Sequence, residues 1–268
     1  MQYGIMQGRL SPKEPHLLQS FPWDNWETEF DRAKSVGFSR IEWLFDKPDW
    51  EKNPIMSSHG RSKIVELMDS TNINVSTLCA HYFIGGELLS TNRKIRTQAI
   101  EVLRMLINSG LKIGVDTIVL PFFDNGDLHR FEIQVLLDGI FAELVKVVSE
   151  TEVKILIESE LSSAKLFELM SSINNDKIGL CYDLGNATSL GFDVLAEFKE
   201  LYPYIYEVHV KDKKINAGSV MLGEGDTPIK DIINFMQSMN FISPVILETP
   251  VGTNWKIAAQ KHFEFLSG

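Results

Sequence analysis

The sequence predicts a closed (β/α)8 TIM barrel of the α/β class, and three observations predict it. Eight short apolar runs alternate with eight segments of helical periodicity along the 268 residues. Most connections are of ordinary length, and no Gly/Ser-rich linker or shift in composition divides the chain. Strands that alternate with helices form a parallel sheet covered by helices, and one barrel of about 250 residues is ordinary. An open doubly wound sheet is the alternative, but the first turn after a strand, Gln7-Gly8-Arg9-Leu10-Ser11-Pro12, offers no glycine-rich phosphate cradle. Residues 1–268 therefore read as one barrel domain.

The first strand is Tyr3 to Met6. Trp26, Phe30 and Ala33 then fall on one helical face, and Gly37 suits the left-handed C-cap. Ile41 to Phe45 is the second strand, and Lys47 to Gly60, with two prolines, is a loop. Ile64, Val65, Leu67 and Met68 mark the second helix, before a third strand from Asn74 to Cys79 that runs out to His81. Gly85-Gly86 breaks the chain, and Ile95, Ala99, Val102, Leu103 and Leu106 share a helical face. The fourth strand, Thr117 to Leu120, is expected to stop at Pro121, which cannot donate to a sheet. Ile133 to Val148 reads as one long helix. Lys154 to Ile157, Ile178 to Tyr182, Tyr204 to Val210 and Pro244 to Leu247 are the remaining strands. Between and after them come helices around Leu166–Met170, Val194–Leu201, beyond Pro228, and from Trp255 to Leu266.

Composition narrows the function classes. A hydrophobic content of 44% with 23% charged residues suits a globular domain with a sizeable core. The sequence holds no run of about 18 apolar residues, the length that can span a membrane, and Met1 to Leu10 shows no export signal. A cytoplasmic location is expected, and Cys79 and Cys181 read as two reduced thiols. The net charge of −10 opposes a DNA or RNA partner, since phosphate binding needs clustered Lys and Arg.

The last four strands end alike. Ile155-Leu156-Ile157 leads to Glu158, Ile178 to Tyr182 leads to Asp183, the seventh strand carries His209, and Val245-Ile246-Leu247 leads to Glu248. Functional groups of such barrels sit at the C-terminal strand ends, and consecutive strands are neighbours, so these four side chains can converge. Three carboxylates and an imidazole about one point would repel one another unless a cation lay among them. The ligand types suit one divalent metal ion, Mn²⁺, Mg²⁺, Co²⁺ or Zn²⁺, without choosing between them. Strand alternation puts Glu207, His209 and Lys211 on one face, with Lys211 one layer above His209.

Several segments carry a resemblance across the whole chain: LIESE around Glu158, CYDLGN around Asp183, EVHVKD around His209, GEGDTPI near Glu224 and VILETP around Glu248. They resemble the xylose-isomerase-like barrels, and among them most of all the pentulose-5-phosphate and ketohexose 3-epimerases. The resemblance implies that Glu158, Asp183, His209 and Glu248 bind one divalent metal, and that Glu158 and Glu248 shuttle a proton. It implies an isomerase of carbohydrate metabolism that acts on a small-molecule sugar or sugar phosphate, assembled as a homodimer or homotetramer. Such chemistry acidifies the C–H next to a ketose carbonyl and proceeds through an enediolate. Two positions depart from the ketohexose branch, where a histidine stands at Asn186 and an arginine at Ile215.

His81, Asn186, Lys211 and Glu224 are the expected substrate contacts, with Gln7, Arg9 and Glu42 as weaker ones. Lys211 has a structural alternative, pairing with Asp212 or Glu224. Trp23, Trp26, Trp43 and Trp50 read as packing, and His16, His59, His129 and His262 as surface or packing residues. A sugar or polyol dehydratase and a non-catalytic sugar-binding barrel remain alternatives. An endonuclease IV-like repair enzyme is disfavoured by six histidines in all and the acidic charge.

Overall fold

In the computed structural model, which describes residues 1–12 and 19–268, the barrel wall begins with β1 (Tyr3–Met6), buried at every position. The strands β2 (Arg40–Leu44), β3 (Thr77–Cys79), β4 (Thr117–Phe122), β5 (Lys154–Ser159), β6 (Ile178–Asp183) and β7 (Ile205–Val210) follow in chain order. Two short strands, β8 (Asp212–Lys213) and β9 (Ser219–Val220), pair with each other outside the wall. The strand β10 (Val245–Leu247) then closes it. The closed order is β1-β10-β7-β6-β5-β4-β3-β2, and every ladder in it is parallel. The strands that end in Glu158, Asp183, His209 and Glu248 are thus consecutive, as the sequence predicts.

The helices α1 (Thr28–Val36), α2 (Ser58–Thr71), α3 (Arg93–Leu111), α4 (Ile133–Leu136), α5 (Ala142–Ser149), α6 (Ser163–Ile173), α7 (Leu184–Ser189), α8 (Val194–Leu201), α9 (Ile229–Ser238) and α10 (Trp255–Ser267) accompany the strands. Gly37 takes the left-handed cap of α1, with its N–H donating to Ala33 O. The long helix expected from Ile133 is instead broken. A π-type turn over Leu137–Phe141 separates α4 from α5, and Gly139 within it has non-helical backbone angles. Pro121 does not stop β4, which continues to Phe122. Val119 O accepts from Ala80 N, so alternation aims the Pro121 nitrogen at the same β3 side, where β3 has already ended. No ladder bond is lost there.

The apolar core fills the space between helices and sheet, while a separate small cluster of Val119, Leu156 and Cys181 lies apart from it. Gly4 allows a close approach within the barrel. A Cβ there would come 2.4 Å from Arg40 Cγ and 2.5 Å from Ile246 Cδ1. Among the described residues, no helix is long and apolar enough to cross a membrane. His16 lies outside the described residues.

Candidate active site

The C-terminal strand ends surround a cavity of about 420 Å³ whose wall includes Arg9, His81, Glu158, Asn186, His209, Lys211, Lys213 and Glu248. Each of the four expected ligands is set by a different strand. Glu158 is the fifth residue of β5, and Asp183 closes β6 and caps α7, its Oδ1 accepting from Asn186 N at 2.9 Å. Asp183 and His209 are register partners across β6 and β7. Glu248 follows β10, and its N–H donates to Val210 O. One ligand atom from each of Glu158, Asp183, His209 and Glu248 lies within 4.8 Å of all the others.

His209 is oriented with its two nitrogens in different surroundings. Nδ1 faces the cavity carboxylates, 3.4 Å from Glu158 Oε1 and 3.8 Å from Glu248 Oε2. Nε2 faces down the barrel, 3.0 Å from Glu42 Oε2 and 3.3 Å from Glu207 Oε1. Above them Lys211 Nζ sits 2.6 Å from Asp183 Oδ2 and donates to Glu248 Oε2 at 2.7 Å. Arg9 Nη2 donates to the other oxygen, Glu248 Oε1, at 3.0 Å and to Gln19 Oε1 at 2.9 Å. Gly185 makes room for Lys211, because a Cβ there would lie 2.4 Å from Lys211 Cγ.

Neighbouring cations separate the two glutamates electrostatically. Burial raises the pKa of Glu158, only partly offset by His209. Burial also works against ionised Glu248, but Lys211 and Arg9 overcome it and hold that carboxyl well below the usual range. Burial opposes the charge on Lys211, and Asp183 and Glu248 outweigh it, so the ammonium persists.

The other expected contacts divide. His81 lines the cavity, with Nδ1 3.4 Å from Asp46 Oδ1, and Asn186 lines it as the acceptor of a 2.7 Å bond from Lys213 Nζ. Glu224 does not line it and is exposed. Asp212 explains this: its carboxylate accepts from the backbone N–H groups of Gly223, Gly225 and Thr227, which folds the loop over Asp212 and leaves Glu224 outside. Lys211 pairs with neither Asp212 nor Glu224 but with Asp183 and Glu248. Gln7 is spent on the backbone, its Oε1 accepting from Leu44 N.

None of the four tryptophans lines the cavity. Trp43 is buried and donates to Asn53 Oδ1. His59 and His129 are exposed, while His262 is buried against Pro250 O at 3.2 Å. Lys213 and Glu160, both in the cavity wall, were not singled out by the sequence. For Lys213 the signal was the Lys211-Asp212-Lys213 alternation, which places both lysines on one side.

The loop that carries Arg9 is held by a buried carboxyl. Glu29 of α1 accepts from Gly8 N, Leu10 N and Ser11 Oγ. Burial pushes its pKa up to about 7 against these bonds. The folded protein therefore binds this proton more tightly than the unfolded chain. The resulting stabilisation is complete below the ordinary glutamate pKa and is lost as pH rises through 7. Wild-type protein is expected to lose about 2 kcal/mol of stability between pH 5 and pH 8 from this group, because the unfolded chain gives up the proton near the ordinary glutamate value. Urea unfolding at the two pH values measures this, and Glu29→Gln, which cannot ionise, should remove that part of the slope.

The comparisons with known proteins agree with this architecture. The family model for the xylose isomerase-like TIM barrel matches residues 30–267. L-ribulose-5-phosphate 3-epimerase UlaE of Escherichia coli (strain K12) is 26% identical over 242 residues, covering 83% of this chain and 81% of that protein. Among solved structures, a D-tagatose 3-epimerase-like protein superposes with a TM-score of 0.75 at 16% identity, over 100% of this chain and 97% of the other. The IOLI protein with a binding zinc atom gives 0.73 at 15% identity, over 100% and 95%.

Proposed function

Since this chain belongs to the xylose isomerase-like TIM barrel family, we propose that it is a divalent-metal-dependent epimerase or isomerase of a sugar or sugar phosphate. Residues 1–268 act in this reading as one catalytic domain. The observation that carries it is the convergence of Glu158, Asp183, His209 and Glu248 in one cavity. The donor set fits an ion. His209 Nδ1 is buried without a hydrogen-bond partner among the described residues and faces two carboxylates, and three acidic groups crowd around it. A divalent ion held there by Glu158, Asp183, His209 and Glu248 would supply Lewis-acid polarisation of a ketose carbonyl.

The chain's own groups do the proton work. One of Glu158 and Glu248 removes the proton from the carbon beside the carbonyl, and the other returns a proton to the opposite face. The Lys211 ammonium, fixed between Asp183 and Glu248, stands where negative charge develops on the substrate oxygens. Asn186 and His81 bind substrate hydroxyls farther up the wall. Lys213 forms no carboxylate ion pair within 4.0 Å among the described residues, so it is the group we assign to a substrate phosphate.

A panel of ketoses and ketose 5-phosphates in D₂O with added Mn²⁺ tests the reading. Deuterium in a product of unchanged formula is expected. Loss of water would point to a dehydratase, and binding without exchange to a sugar-binding barrel; either outcome defeats the proposal. Lys213→Ala should raise KM for the phosphorylated substrate about tenfold and leave the unphosphorylated one unchanged, as steady-state kinetics will show.

A further inference from the structure

The barrel interior below the cavity holds charge that proton transfer at the substrate does not use. Glu42 on β2 and Glu207 on β7 are both 0% exposed, and among the described residues all four of their carboxylate oxygens are buried without a hydrogen-bond partner. Both ring nitrogens of His209, itself 1% exposed, are also without one. A buried carboxylate with no partner is costly, and two beside each other more so. Their shared neighbour is His209 Nε2, 3.0 Å from Glu42 and 3.3 Å from Glu207. Cys181 completes the ring of groups around this end, since Cys181, Glu207 and His209 can each offer an atom within 4.8 Å of the other two.

We propose that Glu42, seconded by Glu207, is the positioning residue of His209. The two carboxylates, 3.0 and 3.3 Å from Nε2, favour the proton on that nitrogen and leave Nδ1 unprotonated toward Glu158, Asp183 and Glu248. The inference rests on the reading that these four residues hold a metal ion. A neutral imidazole has one N–H and one lone pair, and the group bonded to one nitrogen decides which nitrogen is free to ligate. Carboxylates behind ligating histidines do this, and their removal weakens metal binding about 10–100-fold as a rule. Glu42 lies nearer and comes from β2, three strands round the barrel from β7, so it fixes the ring direction. Glu207, two residues before His209 on the same strand, adds a second acceptor from the side.

The test is Mn²⁺ affinity of the full-length protein by calorimetry, beside the thermal midpoint of the metal-free form. Glu42→Leu should weaken Mn²⁺ binding about tenfold, and Glu42→Leu with Glu207→Leu about 100-fold. The metal-free thermal midpoint should stay at or above that of wild type, because both variants remove buried charge. Glu42→Gln keeps an oxygen acceptor at the same place and should recover most of the affinity. Binding by the double leucine variant within twofold of wild type would overturn the positioning role. So would two Mn²⁺ ions per wild-type chain with only one in the double variant, since Glu42 and Glu207 would then be ligands of a second ion beside Cys181. Wild-type protein that binds no divalent ion would defeat the metal reading itself and this inference with it.

Discussion

Glutamine in place of Glu158 or Glu248 is expected to lower deuterium exchange at the substrate carbon by at least about 10³-fold. General acid–base catalysis contributes about 10²–10⁴-fold by itself, and each residue is also a proposed metal ligand. Glutamine preserves shape and packing but cannot carry a proton between substrate and site. The two variants should differ in stability. Glu158 is buried, and burial outweighs the pull of His209 and Lys211 on its charge, so Glu158→Gln relieves a desolvated carboxyl and should leave the thermal midpoint unchanged or raised. Glu248 balances both Arg9 and Lys211, so Glu248→Gln leaves two partly buried cations under-compensated and should lower it. Exchange by NMR and a thermal melt on the same samples read both effects. Either variant turning over within a few-fold of wild type would rule out the pair of proton-transfer glutamates.

Metal removal should produce the other large effect. Dialysis against a chelator is expected to abolish exchange, and a divalent ion at about 100 times its Kd should restore it. At that concentration a ligand that binds only the folded state adds about 2.7 kcal/mol of stability. For a chain of this size that corresponds to a thermal midpoint raised by about 5 °C or more. Asp183→Asn should remove most of that increment, because it takes one of three carboxylates from the cluster while its amide oxygen can still accept from Asn186 N and cap α7. Full activity in the chelated protein, with no change in midpoint on adding Mn²⁺, Mg²⁺, Co²⁺ or Zn²⁺, would exclude a metal-dependent reaction.

The fold was legible because its signal is local and repeated. A buried parallel strand reads as a mostly apolar run, and each of the barrel's eight strands gives one, interrupted within β2 by Glu42 and within β7 by Glu207 and His209. The four converging residues were legible for the same reason: each sits where an apolar run meets a polar residue. The errors came from backbone detail. Pro121 continues β4 because its nitrogen faces a side with no partner strand, which only the pairing reveals. Gly139 interrupts a helix whose apolar periodicity is uninterrupted.

The sequence by itself determined the barrel, the order of its strands, and the set Glu158, Asp183, His209 and Glu248, since period and position along the chain carry that information. Only the tertiary structure decided what surrounds them. It expelled Glu224, because Asp212 gathers three backbone N–H groups and turns that loop outward. It drew Lys211 and Arg9 onto Glu248. It brought Glu42 from β2 and Glu207 from β7 to the far nitrogen of His209. Residues 42 and 209 meet inside the closed barrel, and a side-chain contact between residues so far apart along the chain is one that no local pattern encodes.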